Sequence, residues 1–299
     1  MNALSPLRLP EGIHLGVPET AYHADCAQTP SASSGILRTI LDQTPMHAHA
    51  MHPRLGGDIN GPGTEAQNIG TILHSMVLGT PSPVRILDVD DYRTNAARAL
   101  RDETIAADLI PMKRKDMQEI LDTAASIRAR LQALPDVWAA ITDARDNGMC
   151  EATLIWREGG TLCRVRYDTL PAARFGATYD LKFTGKSASP YSWGKTLVND
   201  YTVQADLYPR AVKSLRGDRP AFVFLVCETT APYAVSLHAM APDLADLARR
   251  KVDHALRLWR ECLAADHWPG YPDQTYHHAA PSWASYQWEE REMQMEDTR

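Results

Sequence analysis

Ala177–Phe183 reads A-T-Y-D-L-K-F, and this short stretch decides the fold. Side chains alternate across it with the period of a strand. Tyr179, Leu181 and Phe183 fall on one apolar side. Asp180 and Lys182 share the other, about 6.5–7 Å apart along the strand. A buried carboxylate and a lysine at that spacing can hold a divalent cation and a water next to it. The pattern alone is weak: with seven lysines and 37 acidic residues, about one acid-x-Lys is expected by chance. Its surroundings therefore carry the argument.

The preceding run, Thr161–Asp168 (T-L-C-R-V-R-Y-D), puts Cys163, Val165 and Tyr167 on one face and Arg164, Arg166 and Asp168 on the other. Two strands joined by a turn thus bring two carboxylates and a lysine onto neighbouring strands. Close carboxylates repel unless a proton or a cation lies between them. Mg²⁺ is commonly held by one or two carboxylates together with a substrate phosphate. His74 lies beside the apolar stripe of the helix Glu65–Leu78, in G-T-I-L-H-S-M-V-L. Gln204 and Tyr208 are one turn apart on a helix over Asn199–Leu215, so they point the same way and can hydrogen-bond a phosphate or a base edge. Alone, each of these three is also an ordinary core-edge or helix-surface residue.

Further out, strands are predicted over Glu151–Arg157, Ala221–Glu228 and Tyr233–Ala239. Helices are predicted near Ser34–Leu41, Tyr92–Ala107, Lys113–Leu134 and Asp243–Ala265, with a loop over His52–Thr64. That order makes a mixed α/β core. It divides into an N-terminal extension packing on the core (1–65), a central domain (66–280) and a polar, loosely ordered C-terminal tail (281–299).

Composition narrows the class. The chain has 299 residues, 44% of them hydrophobic, and a net charge of −6. A chain of this size buries enough surface to fold without a metal or disulfide staple. The five cysteines are never closer than 13 residues, which excludes zinc ribbons and clustered iron–sulfur ligands. With no secretory signal and no apolar run of ~18–20 residues, the expectation is a cytoplasmic protein without a membrane span. From Arg157 to Arg219 there are eleven basic and six acidic residues, a net +5 against −11 elsewhere. Such a segment can hold a polyanion locally. Ser189–Thr196 (S-P-Y-S-W-G-K-T) approaches a phosphate-binding loop, but Ser189 replaces its first glycine and Pro190 and Trp193 crowd it. His47, His49 and His52 have no cysteine nearby and read as surface histidines rather than a zinc site.

Taken in order, G-T-x-x-H (Gly70–His74), E-x-x-x-x-W (Glu151–Trp156), R-x-D (Arg166–Asp168), D-L-K (Asp180–Lys182) and Q-A-x-x-Y (Gln204–Tyr208) resemble the PD-(D/E)XK nucleases. More narrowly they resemble the exodeoxyribonuclease VIII (RecE-type) catalytic domain of phages and prophages, over about Leu9 to Trp283. The resemblance implies a restriction-endonuclease-like core, a mixed β-sheet flanked by helices. It implies a Mg²⁺-dependent exonuclease, with Mn²⁺ substituting, that degrades linear double-stranded DNA 5′→3′. It leaves 3′ single strands for a single-strand annealing protein and assembles as a ring-shaped homo-oligomer. Carried onto this chain, the metal ligands are His74, Asp168, Asp180 and the Leu181 carbonyl, and Lys182 orients or deprotonates the attacking water. Gln204 and Tyr208 lie beside the scissile phosphate, and Glu151 matches an acidic position of the family. Two departures stand out: Phe183 where Thr is usual after D-L-K, and Gly79-Thr80-Pro81 in place of an acidic turn.

Overall fold

The computed structural model describes residues 7–57, 64–172 and 175–297. Positions 58–63 of the expected loop, and Arg174 of the basic segment, lie outside the described residues. The chain divides into two compact units, Met1–Pro269 and Gly270–Arg299.

The first unit opens with β1 (Gly12–His14), α1 (Glu19–His23), α2 (Ser34–Asp42), α3 (Pro45–Met51) and α4 (Glu65–Leu78). Next come β2 (Val84–Leu87), α5 (Asn95–Ala106), β3 (Ile110–Lys113), α6 (Arg114–Gln132) and α7 (Pro135–Asp146). The functional strands follow as β4 (Cys150–Glu158), β5 (Thr161–Thr169) and β6 (Ala177–Thr184). After them run α8 (Pro190–Thr196), a π-helical turn (Leu197–Tyr201), α9 (Thr202–Arg216), β7 (Ala221–Glu228), β8 (Val235–His238) and α10 (Pro242–Ala265).

Among the described residues these strands form three small sheets. β4 and β5 form an antiparallel hairpin turned at Gly159-Gly160, with β1 antiparallel along the outer edge of β4. β6 pairs in parallel with β7, and β8 runs antiparallel on its far side; β2 and β3 form a short parallel pair. The hydroxyl of Thr169, at the end of β5, donates to the Tyr179 carbonyl of β6 at 2.7 Å and ties the two sheets together where the site lies.

The period-two reading holds on both strands. Cys163, Val165 and Tyr167 pack with Trp156 against α9 and α10, around the fully buried Trp259. Tyr179 and Leu181 pack on the other side against Ile127, Leu131 and Ile141 of α6 and α7. Burying each such side chain contributes roughly 1.5–3 kcal/mol. The polar sides of β5 and β6 are left for chemistry.

Several elements differ from expectation. The helix expected near Lys113–Leu134 is followed at once by a further one, α7, whose first residue is Pro135; proline fits that position because its missing N–H has no partner there. The tail expected to be loosely ordered forms a helix, α11 (Ser282–Glu296), in the second unit. None of its residues is buried, so it carries no apolar stripe that sequence could have flagged. Ser189–Thr196 forms α8, capped by the Ser189 hydroxyl accepting from Ser192 N, and is no phosphate-binding loop. All five cysteines are free thiols. Among the described residues, no helix is long and apolar enough to cross a membrane.

Candidate metal centre and active site

The site begins with α4. Thr64 and Gln67 close a reciprocal capping box at its start, and Gly79 ends it at a left-handed φ of 74°. Ile72, Leu73, Val77 and Leu78 anchor the helix in the core, which turns His74 toward the β4–β5 hairpin.

The register of that hairpin sets Cys150 opposite Thr169 and Ala152 opposite Tyr167, so Glu151 faces Asp168. The ladder breaks at this pair because Glu151 has a left-handed backbone, φ 57°. That conformation costs an L-residue about 1–2 kcal/mol. His74 stands between the two carboxylates. Its Nδ1 lies 2.8 Å from Glu151 Oε1 and its Nε2 lies 2.8 Å from Asp168 Oδ2. Asp168 Oδ2 also accepts from the Leu181 backbone N–H at 2.7 Å, which fixes β5 against β6. Glu151 Oε2 accepts from Arg166 Nε at 2.5 Å.

Electrostatics follow from this geometry. Burial disfavours a charged His74, but the two carboxylates outweigh it and lift its pKa to about 10. Both ring nitrogens then carry protons and donate. Burial opposes ionisation of Asp168 as well, yet His74 and Lys182 hold its pKa below the ordinary carboxylate value. Asp180, 2% exposed, goes the other way: burial and the charge of Asp168 push its pKa up. Lys182 donates to Asp180 Oδ2, and although burial opposes its charge, Asp180 and Asp168 raise its pKa. Gln204 Nε2 donates to Asp180 Oδ1 at 2.7 Å. The Lys182 ammonium also lies 5.2 Å from the ring centroid of Tyr201 and 5.6 Å from that of Phe224.

His74, Glu151, Asp168, Leu181 and Lys182 all line one cavity of about 1060 Å³. Among the described residues, His74, Glu151 and Asp168 form the one group of three that could share an ion, with ligand atoms within 4.8 Å of one another. Asp180, expected as a ligand beside them, turns both oxygens to Lys182 and Gln204 instead. Tyr208, expected beside the phosphate, is 6% exposed and packs against Tyr167 and Phe222 inside the sheet–α9 interface. Gln204 and Tyr208 are one turn apart on α9, yet the first reaches Asp180 and the second packs against the aromatic side of the strands. His52, read as a surface histidine, is fully buried, with Nε2 3.3 Å from Asp25.

The basic segment also reads differently in three dimensions. Arg157, Arg164, Arg166, Lys182, Arg210, Arg216 and Arg219 each pair with a carboxylate of the chain. Seven of its eleven basic residues thus have a carboxylate partner within the chain, with Arg157 and Arg219 about half exposed. Sequence reasoning missed one wall of the cavity, formed by Gly16, Val17, Pro18 and Glu19 from the N-terminal extension. Only the tertiary fold brings that wall in.

The donor set fits a divalent cation. One imidazole and two carboxylates converge on a solvent-reached cavity, and at present a proton-rich histidine supplies the positive charge between them. A carboxylate ending one strand, D-x-K on the next, and a helix histidine facing both define a member of the PD-(D/E)XK nuclease superfamily. The chain belongs to the PDDEXK-like domain of unknown function (DUF3799), whose profile matches residues 41–277. A crystal structure from Eubacterium rectale described as a "putative exonuclease" is similar over 90% of this chain and 97% of that one, with 11% identity and a TM-score of 0.55. At that identity the likeness is one of fold. No curated protein matches the chain.

Proposed function

We propose that the protein is a divalent-metal-dependent exodeoxyribonuclease that hydrolyses linear double-stranded DNA 5′→3′ and leaves 3′ single strands. The observation that carries this reading is the convergence of His74, Glu151 and Asp168 on one cavity with Lys182. The direction and the duplex substrate rest on the RecE-type resemblance of the ordered motifs.

Mg²⁺ or Mn²⁺, when bound, supplies the charge that stabilises the phosphoryl oxygens and the leaving 3′ oxygen. His74, Glu151 and Asp168 would hold it, with Asp180 and the Leu181 carbonyl adjacent. Lys182 reaches the cavity from the same strand face as Asp180 and, as an ammonium, would orient the attacking water. Asp180 holds the Lys182 ammonium in place, and Gln204 holds Asp180. Leu181 N–H fixes Asp168, so the two strands cannot shift independently. Single-strand annealing by a partner protein and a ring of several copies belong to the same reading and rest on the same resemblance; a cytoplasmic setting rests on the cysteine usage and the segments read from the sequence.

The test is purified protein on linear duplex DNA labelled at either 5′ or 3′ ends, with Mg²⁺ or with EDTA, beside Asp180→Ala. The expected result is metal-dependent release of mononucleotides that begins at 5′ ends and is lost in the variant. Rapid nicking of closed circles would make it an endonuclease. DNA binding without hydrolysis would make it a silent binding module.

A further inference from the structure

The face of β5 that carries Asp168 also carries Arg164 and Arg166. Both guanidinium groups lie over the ring of Tyr22, 5.5 and 5.8 Å from its centroid. Arg166 makes two contacts at once. Its Nε donates to Glu151 at 2.5 Å, and its Nη1 donates to the Val17 carbonyl at 2.9 Å. Arg164 grips the same N-terminal segment further along, donating to the Ser31 carbonyl and hydroxyl at 2.8 Å each. That segment is a wall of the cavity, through Val17, Pro18 and Glu19. Glu151, meanwhile, sits at φ 57°, a conformation that persists only where surrounding contacts enforce it. The side-chain contacts that do so are His74 and Arg166.

We infer that Arg166 is a positioning residue that joins the seating of the N-terminal segment to the assembly of the metal centre. A guanidinium fork can serve the Glu151 carboxylate and the Val17 carbonyl together; a lysine ammonium has no such fixed geometry. If Val17–Tyr22 lifts away, Arg166 loses its second anchor and the ring beneath it, and its guanidinium no longer holds Glu151 in a fixed orientation. The centre is then complete only when the wall is in place. This rests on the metal-centre part of the proposed function.

The test measures Mn²⁺ uptake by isothermal titration calorimetry, which needs no nuclease activity, and thermal melting in EDTA. It uses the full chain as wild type, Arg166→Gln, Arg166→Lys and Tyr22→Leu. Arg216→Gln serves as the control: Arg216 braces the Pro171 carbonyl, away from the cavity. Arg166→Gln is expected to weaken Mn²⁺ binding at least about tenfold, the usual scale for a group that orients a metal ligand. Arg166→Lys should fall between it and wild type. Tyr22→Leu, which alters no metal-binding side chain, should weaken Mn²⁺ in the same direction. Arg216→Gln should lower the melting temperature and leave Mn²⁺ affinity alone. If Arg166→Gln does not fold, Arg166→Lys and Tyr22→Leu decide. Unchanged Mn²⁺ affinity in the folded Arg166 variants overturns the inference, and so does an unchanged affinity in Tyr22→Leu. Wild-type protein that takes up no Mn²⁺ overturns the metal-centre reading itself, and this inference falls with it.

Discussion

Two clusters built from the same residue types hang on β5, two positions apart, and they behave in opposite ways. Around Arg164 lie Asp25 and His52, both fully buried. Around Arg166 lie Glu151, His74 and Asp168, each 13–26% exposed at the side chain and facing the cavity. In the first, the acid is saturated: Asp25 accepts from Ser31 N at 3.0 Å, from the Ser31 hydroxyl at 2.6 Å and from Ala27 N at 3.3 Å, besides Arg164. In the second, two carboxylates face each other across a strand pair with a histidine wedged between them. The first closes a fold; the second holds like charges close together beside solvent, an arrangement that favours an incoming cation. The difference lies in the number of fixed N–H and O–H donors around the acid, and in access from outside.

Substitutions can separate these roles. Asp168→Asn should reduce metal-dependent DNA hydrolysis about 10³-fold or more, since the ion supplies several kcal/mol of charge stabilisation. Its melting temperature should stay close to wild type. Cleavage that survives would place the centre elsewhere. Asp25→Ala should do the reverse and cost about 3–5 kcal/mol in chemical denaturation, because it strands Arg164 in the interior. The folded fraction should keep its Mn²⁺ affinity; a loss of less than 1 kcal/mol would mean that the cluster is not structural after all.

The same acid should leave a mark on the pH dependence of stability. Burial raises the Asp25 pKa, but His52, Arg164 and Ser31 outweigh it and bring it down from 3.8 to about 2. A carboxyl that titrates lower when folded stabilises the protein above its unfolded pKa and loses that effect as pH falls through the folded one. About 2 kcal/mol should therefore drain away between roughly pH 4 and pH 2, and Asp25→Asn should lack that part of the acid limb. The smallest effect expected is for Gln204→Ala. It removes the amide on Asp180 without touching the cavity and should slow turnover roughly tenfold with little change in Mn²⁺ affinity. A loss of DNA binding at constant turnover would make Gln204 a substrate contact instead.

The parts of this site that sequence exposes are those set by local period. Alternation along Thr161–Asp168 and Ala177–Phe183 sorts the chemistry from the core, and Asp180 and Lys182 do meet. The helix that carries His74 is bounded by residues whose capping preferences are readable, and it spans Glu65–Leu78 as expected. What local period cannot say is which strand residue faces which. Glu151 opposite Asp168 depends on hairpin register and on a strained φ, neither of which has a sequence signature. The burial of Tyr208 depends on its packing against Tyr167 and Phe222 of two other strands, and the wall at Val17–Glu19 on contacts some 150 residues apart, such as Val17 with Arg166. β2 and β3, four residues each, are too short for any periodic signal.

The π-helical turn at Leu197–Tyr201 has a consequence for anyone editing the chain. A π turn is one residue longer than the α turn it replaces. Its five residues sweep roughly the angle that about four cover in a regular α-helix. Deleting a single residue there would therefore let an α turn take its place while Gln204 and the buried side of α9 keep their facing. The same deletion inside α9 would swing everything beyond it by about 100° and take the buried side out of the core. The π turn works as a splice point: it takes up a change of one residue that the regular helix beside it cannot.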